Sequence, residues 1–315
     1  LIKFDTLKFN LQNPTTMILF SRSRIFLCLV VALTSCLVAK ASSYEESELK
    51  WRQERSKRLS APSGWLSLIG LDWLSLGRNT IGSSSDNSVQ LNAGPAHFGC
   101  ITLTENKTII FEPSKTDKIT VGGKLSTTPV TIQPDDENPT IIQSGSVSFF
   151  VIIRGDKIGL RVKDTESERR KHFVGLDYYP INPAWRIEAT WIDYKPPHSI
   201  NITNVLGQTS PEPVPGKAVF KYEGKTYELT PIDEGKDEPL FFIIRDKTSG
   251  IETYGASRFL YADRPKNGVV ILDFNRAQNP PCAFTPYATC PLPPKENIMP
   301  FAITAGEKSY KGESH

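Results

Sequence analysis

Three hundred and fifteen residues, 39% hydrophobic and 23% charged, suffice for one large core or two modest ones and exclude fibrous, collagen-like and wholly disordered chains. With 21 Gly and 24 Pro against 2 Met and 4 His, the composition favours a turn-rich β protein over a helical bundle and leaves little histidine for acid–base or metal chemistry. The net charge of +3 resides at the amino-terminal end: residues 1–41 carry five basic side chains and one acidic, and the remainder balances at −1, too even for a nucleic-acid-binding surface.

The first methionine is Met17, and residues before it are set aside. From there the chain has the pattern of an export signal: Arg22 and Arg24 precede an apolar run, Ile25 to Ala39, that is short for a membrane span. Ala39-Lys40-Ala41 offers a cleavage site that leaves a soluble chain from Ser42, whereas Leu33-Thr34-Ser35-Cys36 resembles a lipobox that would lipidate Cys36. The soluble product is favoured, because the apolar run continues past Cys36 to Val38. The expectation is an exported protein, secreted or in the cell envelope, with no stable membrane span once residues 1–41 are removed.

Residues 42–60 read as one solvated helix, with a Ser43/Glu46 capping box and with Leu49 and Trp51 as its main apolar contacts. Short β segments follow in a first lobe, 61–163: Asn79 to Gly82, Ser88 to Leu91, Phe98 to Leu103, Thr108 to Glu112, Lys118 to Val121 and Val130 to Ile132. The strongest hairpin pairs Val147 to Arg154 with Lys157 to Val162 across Gly155-Asp156. A second lobe, 164–315, opens with a short charged helix or turn and continues with Arg186 to Tyr194, Ser199 to Val205, Ala218 to Tyr222 paired with Thr226 to Thr230, Leu240 to Asp246 paired with Ile251 to Tyr254, and Gly268 to Asn275. Pro211, Pro213 and Pro215 mark Ser210 to Gly216 as a loop or linker. So few helical patterns interrupt the strands that the expected fold is mainly β, a two-lobed antiparallel sandwich or barrel with one N-terminal helix.

Beyond the signal the cysteines are Cys100, Cys282 and Cys290. In an oxidising compartment the last two are the natural disulfide, and closing so short a loop stabilises by roughly 2.5 kcal/mol on the chain-entropy model. His97 and Cys100, three apart on a strand, point to opposite faces and make a poor metal pair, so neither metal nor cofactor is implied. No G-x-S-x-G elbow, H-E-x-x-H or EF-hand loop occurs, and the Gly77 to Ser83 segment lacks the lysine of a phosphate loop.

Polar and turn residues concentrate between Tyr254 and Asn297. One reading makes this a preorganised pocket for a small polar or anionic ligand, held by Arg258 and Arg276 with Tyr254, Tyr261 and Phe284 as walls. An alternative is a hydrolase with Asp273 as general base and Asn275 or Asn279 steadying an oxyanion. In the bland alternative Asp273 and Asn275 cap turns, Arg258 neutralises Asp273 as an internal ion pair, and the prolines with a disulfide pin a long C-terminal loop over the core.

Gly64-Trp65-Leu66, Gly77 to Ser83, Leu176-Asp177-Tyr178-Tyr179-Pro180, Trp185-Arg186 and above all Asp273-Phe274-Asn275 to Pro294 with Asn297 together resemble the family of domains of unknown function DUF1684. The resemblance runs from about Trp51 to Glu307 and implies membership without an activity. A weaker likeness to forkhead-associated domains, in Gly77-Arg78, Ile81-Gly82, Val89, Leu91 and His97, implies at most a β-sandwich shape for the first lobe.

Overall fold

The computed structural model describes residues 43–135 and 138–312; the segment expected to act as an export signal, with its two expected processing sites and Cys36, lies outside them. Residues 43–60 form helix α1. Its first two turns, to Lys50, belong to one compact unit of the chain, and Trp51–His315 form the other. Leu49 is exposed, and the helix residue that enters a core is Leu59, packed with Leu66, Ala283 and Phe284. No helix among the described residues is long and apolar enough to cross a membrane.

Eleven strands build the first β lobe: β1 (Leu68–Trp73), β2 (Gly77–Gly82), β3 (Val89–Gln90), β4 (Gly99–Leu103), β5 (Ile109–Pro113), β6 (Thr120–Val121), β7 (Lys124–Leu125), β8 (Val130–Thr131), β9 (Ile142–Ser144), β10 (Val147–Arg154) and β11 (Lys157–Asp164). They form a six-stranded sheet, β1-β11-β10-β9-β6-β7, and a five-stranded sheet, β3-β2-β4-β5-β8. Ile81, Ile101 and Phe111 from one sheet meet Phe149, Leu160 and Val162 from the other in a single buried cluster, with Phe149 edge-on to both Phe98 and Phe111. The β10–β11 hairpin takes the expected register, Arg154 opposite Lys157, around Gly155 at φ +60°.

After a short helix (α2, Glu168–Lys171), the second lobe comprises β12 (Arg186–Thr203), β13 (Thr209–Tyr222), β14 (Lys225–Leu229), β15 (Ile232–Asp233), β16 (Leu240–Ile244), β17 (Arg258–Ala262) and β18 (Val269–Asp273). These make a four-stranded sheet, β14-β13-β12-β18, and a three-stranded sheet, β15-β16-β17. Strand β16 is buried on both faces: Leu240, Phe242 and Ile244 enter one core cluster, Phe241 and Ile243 another. That double burial explains its uninterrupted apolar run.

Two expectations change here. The triple-proline segment is no linker but part of β13, where Pro211 and Pro213 pair with Asn201 and Ser199 of β12. Prolines spaced by two put all three missing N–H groups on one edge of the strand, so the intervening residues carry the ladder, and β14 covers only Ala218–Tyr222. The partner of β16 is Arg258–Ala262, not Ile251 to Tyr254. The latter segment is drawn instead into a tight turn by the side chains of Asp246, Thr248 and Thr253.

Candidate functional site

The polar residues of the C-terminal motif are placed where backbone groups need partners. Arg258, 1% exposed, pairs not with Asp273 but with the buried Asp246 carboxylate (Nη2 to Oδ2, 2.7 Å) and donates to the Ala305 and Ile303 carbonyls. Asp273 ends β18 and accepts from the backbone N–H of Asn275 (3.2 Å) as the cap of a 3-10 turn, while Arg186 approaches its other oxygen at 3.7 Å. Asn275, wholly buried, exchanges hydrogen bonds with both backbone groups of Asn182. Asn279 donates its side-chain amide to the Lys308 carbonyl, and its backbone N–H goes to Glu307, which also receives Arg55.

These residues therefore do not converge on one hollow. Asp273 and Asn275 are neighbours, but their atoms are committed to turns; Arg258 lies in its own ion pair; and Phe284 is buried against Tyr310. Arg276 lies over Trp51 at 5.9 Å, and the Tyr254 hydroxyl donates to the Cys282 carbonyl. Gly306 shows how closely this region is packed: at φ +79°, a Cβ there would fall 2.4 Å from the Ala277 carbonyl oxygen. Asn297 is a further residue of the same kind, spanning Thr230 N–H, Thr230 C=O and Ile243 C=O.

The open cavity lies elsewhere, between the β10–β11 hairpin and the second lobe, with a volume of about 490 Å³. Its apolar wall is Trp65, Ile202, Ile232, Phe241, Phe259 and Tyr261; of the ligand residues read from the sequence only Tyr261 is present, stacked on Phe241 at 4.9 Å. Its charged lining comprises Arg154, Arg161, Glu212, Asp233 and Glu234, and alternation along β11 explains the place of Arg161. Ile158, Leu160 and Val162 face the sandwich core, which turns Arg161 to the opposite face and into the cavity.

Arg161 is 6% exposed, and its Nε has no partner. It donates from Nη2 to the Thr289 hydroxyl at 3.4 Å, and its guanidinium lies 5.3 Å from the Trp65 ring centroid. No carboxylate among the described residues forms an ion pair with it. Burial, with help from neighbouring Arg154, pulls its pKa down from the ordinary guanidinium range to about 10. Arg154 reaches the same hydroxyl at 3.2 Å but is itself neutralised by Asp135 at 2.7 Å.

Cys290 lines the cavity beside Thr289, and Cys282 packs against it. The backbone N–H of each points to the other's sulfur, at 3.2 and 3.4 Å, but no disulfide joins them; both are thiols, as is buried Cys100. The expected partnership is thus present as proximity without the covalent bond. The shared S–H contact holds the Cys282 thiol below its ordinary range, with Arg161 adding to the effect, and raises Cys290.

A residue separation of 128 between Arg161 and Thr289 hides this site from any local motif. The available signal was a lone arginine inside the apolar run of β11, which is buried from Ile158 to Val162.

Similar proteins add no activity. The sequence model of the family described as Protein of unknown function (DUF1684) matches residues 171–308. An uncharacterized protein of Haloarcula marismortui, known from a solution NMR structure, is 31% identical, covering 46% of this chain and 81% of its own, with a TM-score of 0.39. The crystal structure of Rad53 in complex with AMP-PNP is 12% identical, over 62% of this chain and 46% of that one, at a TM-score of 0.14. No curated protein matches. Through residues 171–308, the chain belongs to the DUF1684 family of proteins of unknown function.

Proposed function

We propose that this protein binds a small organic anion with an apolar body in the cavity between its two β lobes. The observation that carries the proposal is the Arg161 guanidinium, 94% removed from solvent, unpaired at Nε and facing open volume. A buried charge without a counter-ion costs several kcal/mol, and a bound carboxylate or phosphate supplies the missing partner. Trp65, Phe241, Phe259 and Tyr261 offer aromatic surface to the rest of such a ligand. Export belongs to the same proposal, on the basic and apolar pattern from Met17 to Ala41, and in an oxidising compartment Cys282 and Cys290 close into a disulfide.

Calorimetric titration with benzoate and phenyl phosphate tests the binding. Saturable uptake that falls at least tenfold in Arg161→Met, about 1.4 kcal/mol, is expected. Absence of saturation with both anions, or affinity indifferent to the substitution, rejects it. Amino-terminal sequencing of protein recovered from the medium or envelope is expected to begin at Ser42; an intact leader on cytoplasmic protein rejects export.

A further inference from the structure

From the juxtaposition of the Cys282–Cys290 thiol pair with an unpaired arginine on one cavity wall, we infer that this cavity is a thiol–disulfide exchange site for small anionic disulfides. The inference rests on the anion-binding proposal and adds to it a reaction and a substrate class.

Three placements support it. Cys290 lines the cavity and is 5% exposed, so a ligand that fills the space lies against this residue. Cys282 lies behind it, in the reciprocal N–H to sulfur contacts described above, close enough to serve as the resolving thiol. Thr289, adjacent in sequence to Cys290, accepts from both Arg161 and Arg154, so the charge that would hold a carboxylate is tied to the residue beside the reacting sulfur. The loop itself is anchored from outside: Val205 N–H donates to the Cys290 carbonyl and Leu292 N–H to the Thr203 carbonyl.

The chemistry balances without a cofactor. The Cys290 thiol gives its proton to solvent as its sulfur attacks one sulfur of the incoming disulfide RSSR. The Cys290–SR bond forms, the S–S bond of the substrate breaks, and RS⁻ leaves. The departing thiolate takes the proton from Cys282, whose sulfur then attacks Cys290, forming the intramolecular disulfide and expelling the second RS⁻, which is protonated from solvent. The protein dithiol is oxidised by two electrons, and the disulfide is reduced to two thiols.

The test compares two disulfides of opposite charge on the fully reduced protein. Oxidised glutathione carries carboxylates and cystamine carries ammonium groups; oxidation is followed by thiol titration and peptide mapping. Glutathione disulfide is expected to react at least tenfold faster than cystamine, to leave a Cys282–Cys290 crosslink, and to lose that advantage when benzoate occupies the cavity or when Arg161 is changed to Gln. Because the comparison of substrates uses the wild-type protein, it stands even if Arg161→Gln folds poorly. Equal rates for the two reagents, or no Cys282–Cys290 crosslink, overturn the inference; benzoate binding to the same reduced protein then shows whether the anion site survives without the exchange chemistry. If benzoate fails to bind as well, both proposals fall.

Discussion

Among the buried arginines of the described residues, Arg258 and Arg161 have opposite circumstances. Arg258 meets a carboxylate and two carbonyls, whereas Arg161, nearly as deep, meets one threonine hydroxyl and an aromatic face. Each leaves its Nε without a partner; what differs is that the first guanidinium meets a carboxylate, whereas the second has no ion-pair partner among the described residues and a cavity in front of it. The lesson is that burial alone does not separate a structural charge from a functional one. The inventory of partners does.

The sharpest way to break that comparison is to remove each side chain. Arg258→Ala, or Asp246→Ala, leaves an uncompensated partner in the core and is expected to cost about 3–5 kcal/mol in urea unfolding, with the Asp246→Asn/Arg258→Met double variant recovering part of the loss. A cost near zero in the single variants would erase the distinction. Asn297→Ala strands the backbone groups it now joins, with an expected loss of about 2–3 kcal/mol by the same measurement. Arg161→Met should behave in the contrary sense, with stability unchanged or raised by up to about 1 kcal/mol, because an unpaired charge is replaced by an apolar side chain of similar length. A large destabilisation there would make Arg161 a structural residue like Arg258.

The smallest effect is in pH. The pKa of Arg161 is lowered to about 10 in the folded chain, below that of a free guanidinium, chiefly through burial and then through repulsion by Arg154. Between those values the unfolded state binds more protons, so this group's contribution to stability rises with pH, and the cost of its charge is present in full below about pH 10. The stability gap between wild type and Arg161→Met should therefore narrow above pH 10; a gap that stays constant from pH 8 to 11 contradicts the depressed pKa.

Much of the architecture was legible because alternation and turn chemistry are local. Val147 to Arg154 came through with its full extent, since an eight-residue alternating strand ending at Gly155-Asp156 has few other ways to bury one face. The prolines of β13 were misread because proline is usually a loop residue, and only the spacing of two makes it compatible with a ladder. The site was hardest. A cluster of Asp, Asn and Arg between Tyr254 and Asn297 suits an active site and a set of backbone staples equally well, and the distinction depends on where Ala305, Asn182 and Thr230 arrive from elsewhere in the chain. Conversely, Trp65, Arg161, Tyr261 and Thr289 meet only in three dimensions.

The triple-proline edge has a consequence for how copies of this molecule coexist. The outlying half of the β12–β13 ribbon extends past the stretch that β14 covers, and such a border would ordinarily invite a neighbouring chain to add its own strand. With every outward-directed amide hydrogen from Pro211 to Pro215 deleted by the pyrrolidine rings, that border can accept hydrogen bonds at its carbonyls but offers no donors in return. The molecule thus carries a long ribbon into solvent while denying intermolecular sheets a template on which to grow.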